Sequence, residues 1–139
     1  MGVPGSFDEA LAAWARAAGA RLLVLFGSEA KGERGFASDL DLAVDFFRMP
    51  PPDRRLAIIG ELQVLAEPRL ADVVFLHRDL DPVLRFEIFR EGRVLFEAEP
   101  GLMVQERVRA FREYSDALPF RRLLRDHLSR MAREGTLVP

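Results

Sequence analysis

Asp39 and Asp41 stand two residues apart in the run Ser38-Asp39-Leu40-Asp41-Leu42. In an extended chain alternate side chains leave the same face, so both carboxylates project together from α-carbons about 6.5–7 Å apart. Hard-oxygen ligands at that spacing can converge on Mg²⁺. Phosphoryl chemistry commonly uses two such ions about 3.5–4 Å apart, one activating the attacking oxygen and one steadying the leaving group. Ahead of the pair, Gly27-Ser28 closes a short apolar run. A glycine there lets the backbone approach phosphate closely, and N–H groups with the Ser28 hydroxyl at a helix start form an anion seat. Lys31 either adds a point charge to that seat or is solvated. Asp72 enters another apolar segment and can be brought alongside the pair, completing a three-carboxylate site. A lone D-x-D pair is most often a polar strand edge facing water. Here an apolar strand, Gly-Ser, a glycine-interrupted loop and a second strand together set a phosphate binder against metal ligands. Asp45, third on the same face, reads as a solvated strand-end acid, and Ser38 as a turn residue.

These residues need elements to hold them. Ser6 with Glu9 makes a capping-box pattern, followed by Leu11, Trp14, Ala15 and Ala18 at helical spacing up to Gly19. Arg21–Phe26 is too short and too densely apolar for a helix and reads as a buried strand. Glu29–Ala37 reads as a helical turn and loop, and the alternation over Leu40–Phe46 as a second strand. After the prolines at 50–52, Arg54–Ala66 reads as a helix ending before Pro68, and Val73–Leu76 as a third strand entered through Asp72. Asp81-Pro82 caps a helix running to Gly92, and Arg93–Phe96 forms a short fourth strand. Gly101–Ala117 is amphipathic, and Pro119 separates it from a last helix striped by Phe120, Leu124, Leu128 and Met131. The fold class is therefore α/β (α+β), a small mixed β-sheet flanked by helices, with two C-terminal helices. Residues 1–100 form a catalytic module, and residues 101–139 a helical extension packed on the same domain.

Composition narrows the chemistry. Cysteine is absent, which excludes disulfides and thiolate sites, and the two histidines lie far apart, which disfavours a zinc centre, so a catalytic metal is expected to be held by oxygen. No apolar run approaches the ~18 residues of a membrane span, so the expectation is a soluble, cytoplasmic protein. Residues 101–139 carry 8 basic against 5 acidic groups, too diluted a footprint for nucleic acid. The C-terminal helices are instead expected to dock a partner protein or a second copy of the chain. Some of Val104, Val108, Phe111, Leu124, Leu128 and Met131 should stay exposed within a rim of arginines. His77 and His127 read as surface or packing residues, Trp14 and the phenylalanines as core, and Tyr114 as packing or a partner contact.

Gly27-Ser28, ten intervening residues and Asp39-Leu40-Asp41 resemble the G-S-x₁₀-D-x-D signature of the minimal nucleotidyltransferases of the DNA polymerase β superfamily. Residues 71–76, ADVVFL, are similar to the strand carrying that family's third carboxylate, and the similarity spans roughly residues 8–97. The resemblance implies a polymerase β-type fold with Asp39, Asp41 and Asp72 as catalytic metal ligands for two Mg²⁺ ions. Asp72 would lie close to the acceptor hydroxyl, and Gly27 and Ser28 would bind the triphosphate of ATP. Standalone chains of this kind resemble the MntA-like antitoxins of HEPN/MNT toxin–antitoxin pairs, which implies AMP transfer from ATP to a tyrosine of a HEPN-domain toxin. The alternatives are an antitoxin that neutralises the toxin by contact alone, and an adenylyltransferase acting on a small molecule.

Overall fold

Leu22, Leu23, Val24 and Leu25 are all buried, which makes β1 (Ala20–Phe26) a central strand covered on both faces. The computed structural model describes residues 7–27 and 39–135, so Ser6, Ser28, Lys31, Ser38 and the segment 29–37 lie outside the described residues. The helix α1 (Phe7–Ala18) begins with Asp8 and Glu9, whose charges suit a helix N-terminus, and buries Leu11 and Ala15 one turn apart. Gly19, at φ +76°, turns the chain directly into β1. The strand β2 (Leu40–Phe46) runs antiparallel to β1, the helix α2 (Pro52–Ala66) crosses over, and β3 (Ala71–Phe75) returns parallel to β2. The helix α3 (Pro82–Glu91) leads into β4 (Arg93–Glu97), antiparallel to β1, and α4 (Leu102–Arg133) follows. The four strands lie in the order β3-β2-β1-β4, a mixed sheet with helices on both faces.

Alternation along β2 divides the core. Leu40, Leu42 and Val44 meet Leu11 and Ala15 of α1 and Ile58, Leu62 and Ala66 of α2. On the opposite face Ala43 joins Leu22, Val24 and Leu76 beneath Ile88 and Phe89 of α3 and Met103 and Ala110 of α4. Asp39, Asp41 and Asp45 share the parity of Ala43 and so belong to this second face.

The element boundaries differ from expectation in instructive places. α2 starts at Pro52 because proline is tolerated at the first helical position, where its missing N–H would have no partner anyway. Asp72 lies inside β3 rather than ahead of it. The expected two C-terminal helices are one continuous helix, with Pro119 in its interior. Pro119 cannot donate to the carbonyl of Ser115, but both residues are exposed, so water can satisfy that carbonyl and the arginine- and leucine-rich stretch beyond propagates the helix. The start of α4 is capped from the sheet. Both Glu97 carboxylate oxygens accept from backbone N–H groups, Gly101 at 3.1 Å and Met103 at 2.9 Å. Val104, Val108, Phe111, Leu124 and Leu128 are exposed along α4, as the stripe foretold, and Met131 is half-buried. No described helix is long and apolar enough to cross a membrane.

Candidate active site

The parallel register of β2 and β3 sets Asp41 directly beside Asp72, with Leu40 beside Ala71. On its other side Asp41 pairs with Phe26, the last residue of β1, so the next residue, Gly27, falls at the same end of the sheet. Gly27 has φ +76°, the left-handed region that favours glycine. Its missing side chain matters as much as its backbone, for a Cβ built there would lie 2.2 Å from Oδ2 of Asp41. The Asp41 carboxylate is thus seated on the bare backbone of the strand-end glycine. Asp39 and Asp72 are exposed and Asp41 half-buried. Three of the five expected site residues are therefore acids at the N-terminal ends of β2 and β3 with Gly27 against them, and Ser28 lies outside the described residues.

The electrostatics are those of charge held short of neutralisation. Burial pushes the Asp41 carboxyl above its ordinary value, the neighbouring charges of Asp72 and Asp39 push it further, and only Arg69 works the other way. Among the described residues no three acidic or histidine side chains are already gathered around a point that would hold one ion. The donor set itself is all carboxylate oxygen with excess negative charge, and it suits a hard divalent cation arriving with its own phosphate ligands.

Two residues that sequence reasoning did not single out hold this end of the sheet together. The Gln63 amide of α2 donates to the Arg69 carbonyl at 2.8 Å and accepts from the Ala71 N–H at 2.9 Å, pinning the segment that delivers Asp72. Leu40 N–H donates to the Leu70 carbonyl at 2.8 Å, closing the two strand starts onto each other. Arg69 reaches the Asp39 carbonyl at 3.4 Å. Nothing in composition or periodicity marks a glutamine at a helix end as a clamp, since its role depends on where the next strand lies.

Asp45 is not the solvated acid expected. It accepts from Arg21 at 2.7 Å, and Arg21 also reaches Glu106 of α4 at 3.3 Å. An irregularity in the β1–β2 register between Ala20 and Leu22 accompanies this placement. Burial and the like charge of Glu106 raise the Asp45 carboxyl above its ordinary value against the opposing pull of Arg21. Burial also works against the Arg21 charge, but Asp45 and Glu106 outweigh it and hold the guanidinium above its ordinary value. Tyr114 stacks on Phe86 with ring centres 4.2 Å apart, a packing role. His77 and His127 are exposed, as are Phe47 and Phe111, so not all of the aromatic residues serve the core.

An apolar central strand ending in glycine, with carboxylates side by side on the next two strands, is an arrangement that suits phosphoryl transfer. The chain belongs to the polymerase beta nucleotidyltransferase family, whose model matches residues 14–100. No curated protein matches the sequence. Among solved structures, a chain of a toxin–antitoxin crystal structure with AMP-PNP is similar, at TM-score 0.75 and 22% identity over 88% of this chain and 98% of that one. A chain of a tri-AMPylated Shewanella oneidensis HEPN toxin in complex with MNT antitoxin matches at TM-score 0.70 and 20% identity, over 88% and 96%. A chain of the MntA–HepT toxin–antitoxin structure matches at TM-score 0.69 and 20% identity, over 88% and 97%. At these identities the likeness is one of fold.

Proposed function

We propose that this nucleotidyltransferase moves AMP from ATP onto a tyrosine hydroxyl of a HEPN-domain toxin and so acts as an antitoxin, with Mg²⁺ held by Asp39, Asp41 and Asp72. The observation that carries the reading is the register pairing of Asp41 with Asp72 beside Gly27, which gathers carboxylate oxygens at one sheet end next to a strand-end glycine. The similar solved structures support the acceptor and the nucleotide, one holding AMP-PNP and another an AMPylated HEPN toxin with its MNT antitoxin.

Bound Mg²⁺ supplies charge neutralisation for the triphosphate and its leaving group. The chain's own residues do the positioning. Gly27, through its backbone N–H, and Ser28, next in sequence, through its hydroxyl, hold the triphosphate, while the bare side of Gly27 seats the Asp41 carboxylate. Asp72, on the exposed side of the pair, orients the acceptor hydroxyl and accepts its proton. The acceptor oxygen then bonds to the α-phosphorus, the bond from that phosphorus to the bridging oxygen breaks, and pyrophosphate leaves. Little covalent work falls to the protein, so rate depends on holding these groups in line. The reaction belongs in the cytoplasm, with its ATP supply.

The test is to incubate the chain with ATP, Mg²⁺ and a HEPN-domain protein, taken from the neighbouring gene where that gene encodes one, and to weigh the partner. A gain of one or more AMP units on tyrosine supports the reading. A stable complex with no mass gain would assign neutralisation to contact alone, and labelled product formed without any protein acceptor would move the acceptor to small molecules.

A further inference from the structure

At the opposite end of the same sheet face lies a cavity of about 440 Å³ that the nucleotidyl-transfer reading does not use. It opens where the parallel strands β2 and β3 end, the position at which α/β sheets commonly bind ligands. Its volume lies within the range of roughly 300–1,000 Å³ typical of small-molecule sites. Asp45, on its wall, follows Asp41 by four residues of β2, so the two ends are about 13 Å apart at roughly 3.3 Å per residue. Between them the face is closed by buried Ala43 of β2 and Ile88 and Phe89 of α3. The cavity is therefore separate from the carboxylate end.

Its charge is specific. Among the described residues Arg21, Arg78, Arg85 and Arg109 line it against two acids, Asp45 and Glu106, with His77 beside them. The inner cations are spent in the wall, Arg21 on Asp45 and Glu106, and buried Arg85 on Glu106 and Glu113. Arg85 also donates to the backbone carbonyl of His77, fixing the segment that carries His77 and Arg78 at the mouth. The His77 Nδ1 accepts from Asp79 N–H at 3.0 Å, which leaves its Nε2 as a donor. Arg78 is exposed and makes no hydrogen bond or ion pair among the described residues. Facing these groups are Met49 and Phe47, the latter 66% exposed despite its size. A preformed wall of paired charge, an unspent guanidinium and an exposed aromatic ring together fit a phosphate joined to a planar apolar group.

We propose that this cavity is a second ligand site, distinct from the carboxylate end, which takes an organophosphate of mononucleotide size through Arg78 and His77 with its ring against Phe47. The proposal is independent of the acceptor and of the transfer reaction.

The test is calorimetric titration of the full chain with AMP, adenosine and inorganic phosphate in the presence of EDTA, which withholds divalent metal from the carboxylates. AMP should bind, phosphate more weakly, and adenosine not measurably. Arg78→Ala should weaken AMP at least about tenfold, the scale of a charge-assisted contact. Because that side chain makes no hydrogen bond or ion pair among the described residues, circular dichroism of the variant should match wild type. Phe47→Ala should weaken AMP and leave phosphate unchanged, and Asp41→Asn should leave AMP binding intact. Absence of AMP binding, equal binding of adenosine, indifference to Arg78→Ala or loss in Asp41→Asn would each overturn the assignment.

Discussion

Gly27 and Gly19 share a φ of +76°, yet a Cβ at Gly19 would meet nothing within 4 Å while one at Gly27 would lie 2.2 Å from Asp41 Oδ2. Gly19→Ala and Gly27→Ala are therefore a matched pair in which backbone strain is equal and the seat of the carboxylate is not. Each should lose about 1–2 kcal/mol from forcing an L-residue into the left-handed region, visible as a fall of a few degrees in thermal midpoint. Gly27→Ala must in addition push the Asp41 carboxylate about 1 Å to reach ordinary contact, and a displacement of ~1 Å in a reacting constellation costs on the order of 10²-fold in rate. Both variants would be assayed for AMP transfer well below their melting points, with thermal unfolding run alongside. Gly19→Ala should keep wild-type kcat, and Gly27→Ala should lose about two orders of magnitude. Equal activities in two comparably destabilised variants would refute the idea that Asp41 works from its seat on Gly27.

Three further outcomes follow from individual contacts. Hydrogen bonds from Trp14 and Arg54 lower the Glu61 pKa below its ordinary 4.5. The emission of the single tryptophan should therefore titrate with a midpoint below that value, and Glu61→Gln should abolish the transition. The stability Glu61 contributes is present above its unfolded pKa and is lost as pH falls through the folded one. Arg21→Met strands Asp45 and Glu106 without their shared cation and should cost about 1–3 kcal/mol in urea unfolding at neutral pH. Since Asp45 already titrates high and would titrate higher without Arg21, the loss should shrink as pH drops through its folded pKa. Asp72→Asn should lower kcat for transfer more than it weakens ATP binding, measured by equilibrium titration beside single-turnover rates. Parallel losses would make Asp72 a structural residue.

The strands and the carboxylates were legible in the sequence because period-two alternation and dense apolar runs leave few choices. Leu40–Phe46 matches β2 at both ends, and the spacing from Gly27 to Asp39 and Asp41 marked the sheet end where they meet. What stayed hidden depends on partners distant in sequence. The charge of Asp45 is matched by Arg21, 24 residues away, and Arg21 is in turn shared with Glu106, 85 residues from it, neither of which alternation along one strand can reveal. Gln63 becomes a clamp only because β3 starts beneath it. Pro119 read as a break because local propensity penalises proline within helices, and the penalty is tolerated where the freed carbonyl faces water.

The central claim is that Asp41 acts in nucleotidyl transfer rather than in folding or docking, and Asp41→Asn tests it most directly. The substitution keeps size and removes a charge that burial and the neighbouring acids already disfavour, so the fold, and with it the proposed complex with a HEPN-domain protein, should persist. With ATP and Mg²⁺ present, intact-protein mass spectrometry should find AMP on the partner after incubation with wild type. With the variant the rate should fall by orders of magnitude while the complex still forms. Transfer at the wild-type rate by a correctly folded Asp41→Asn chain would contradict the account.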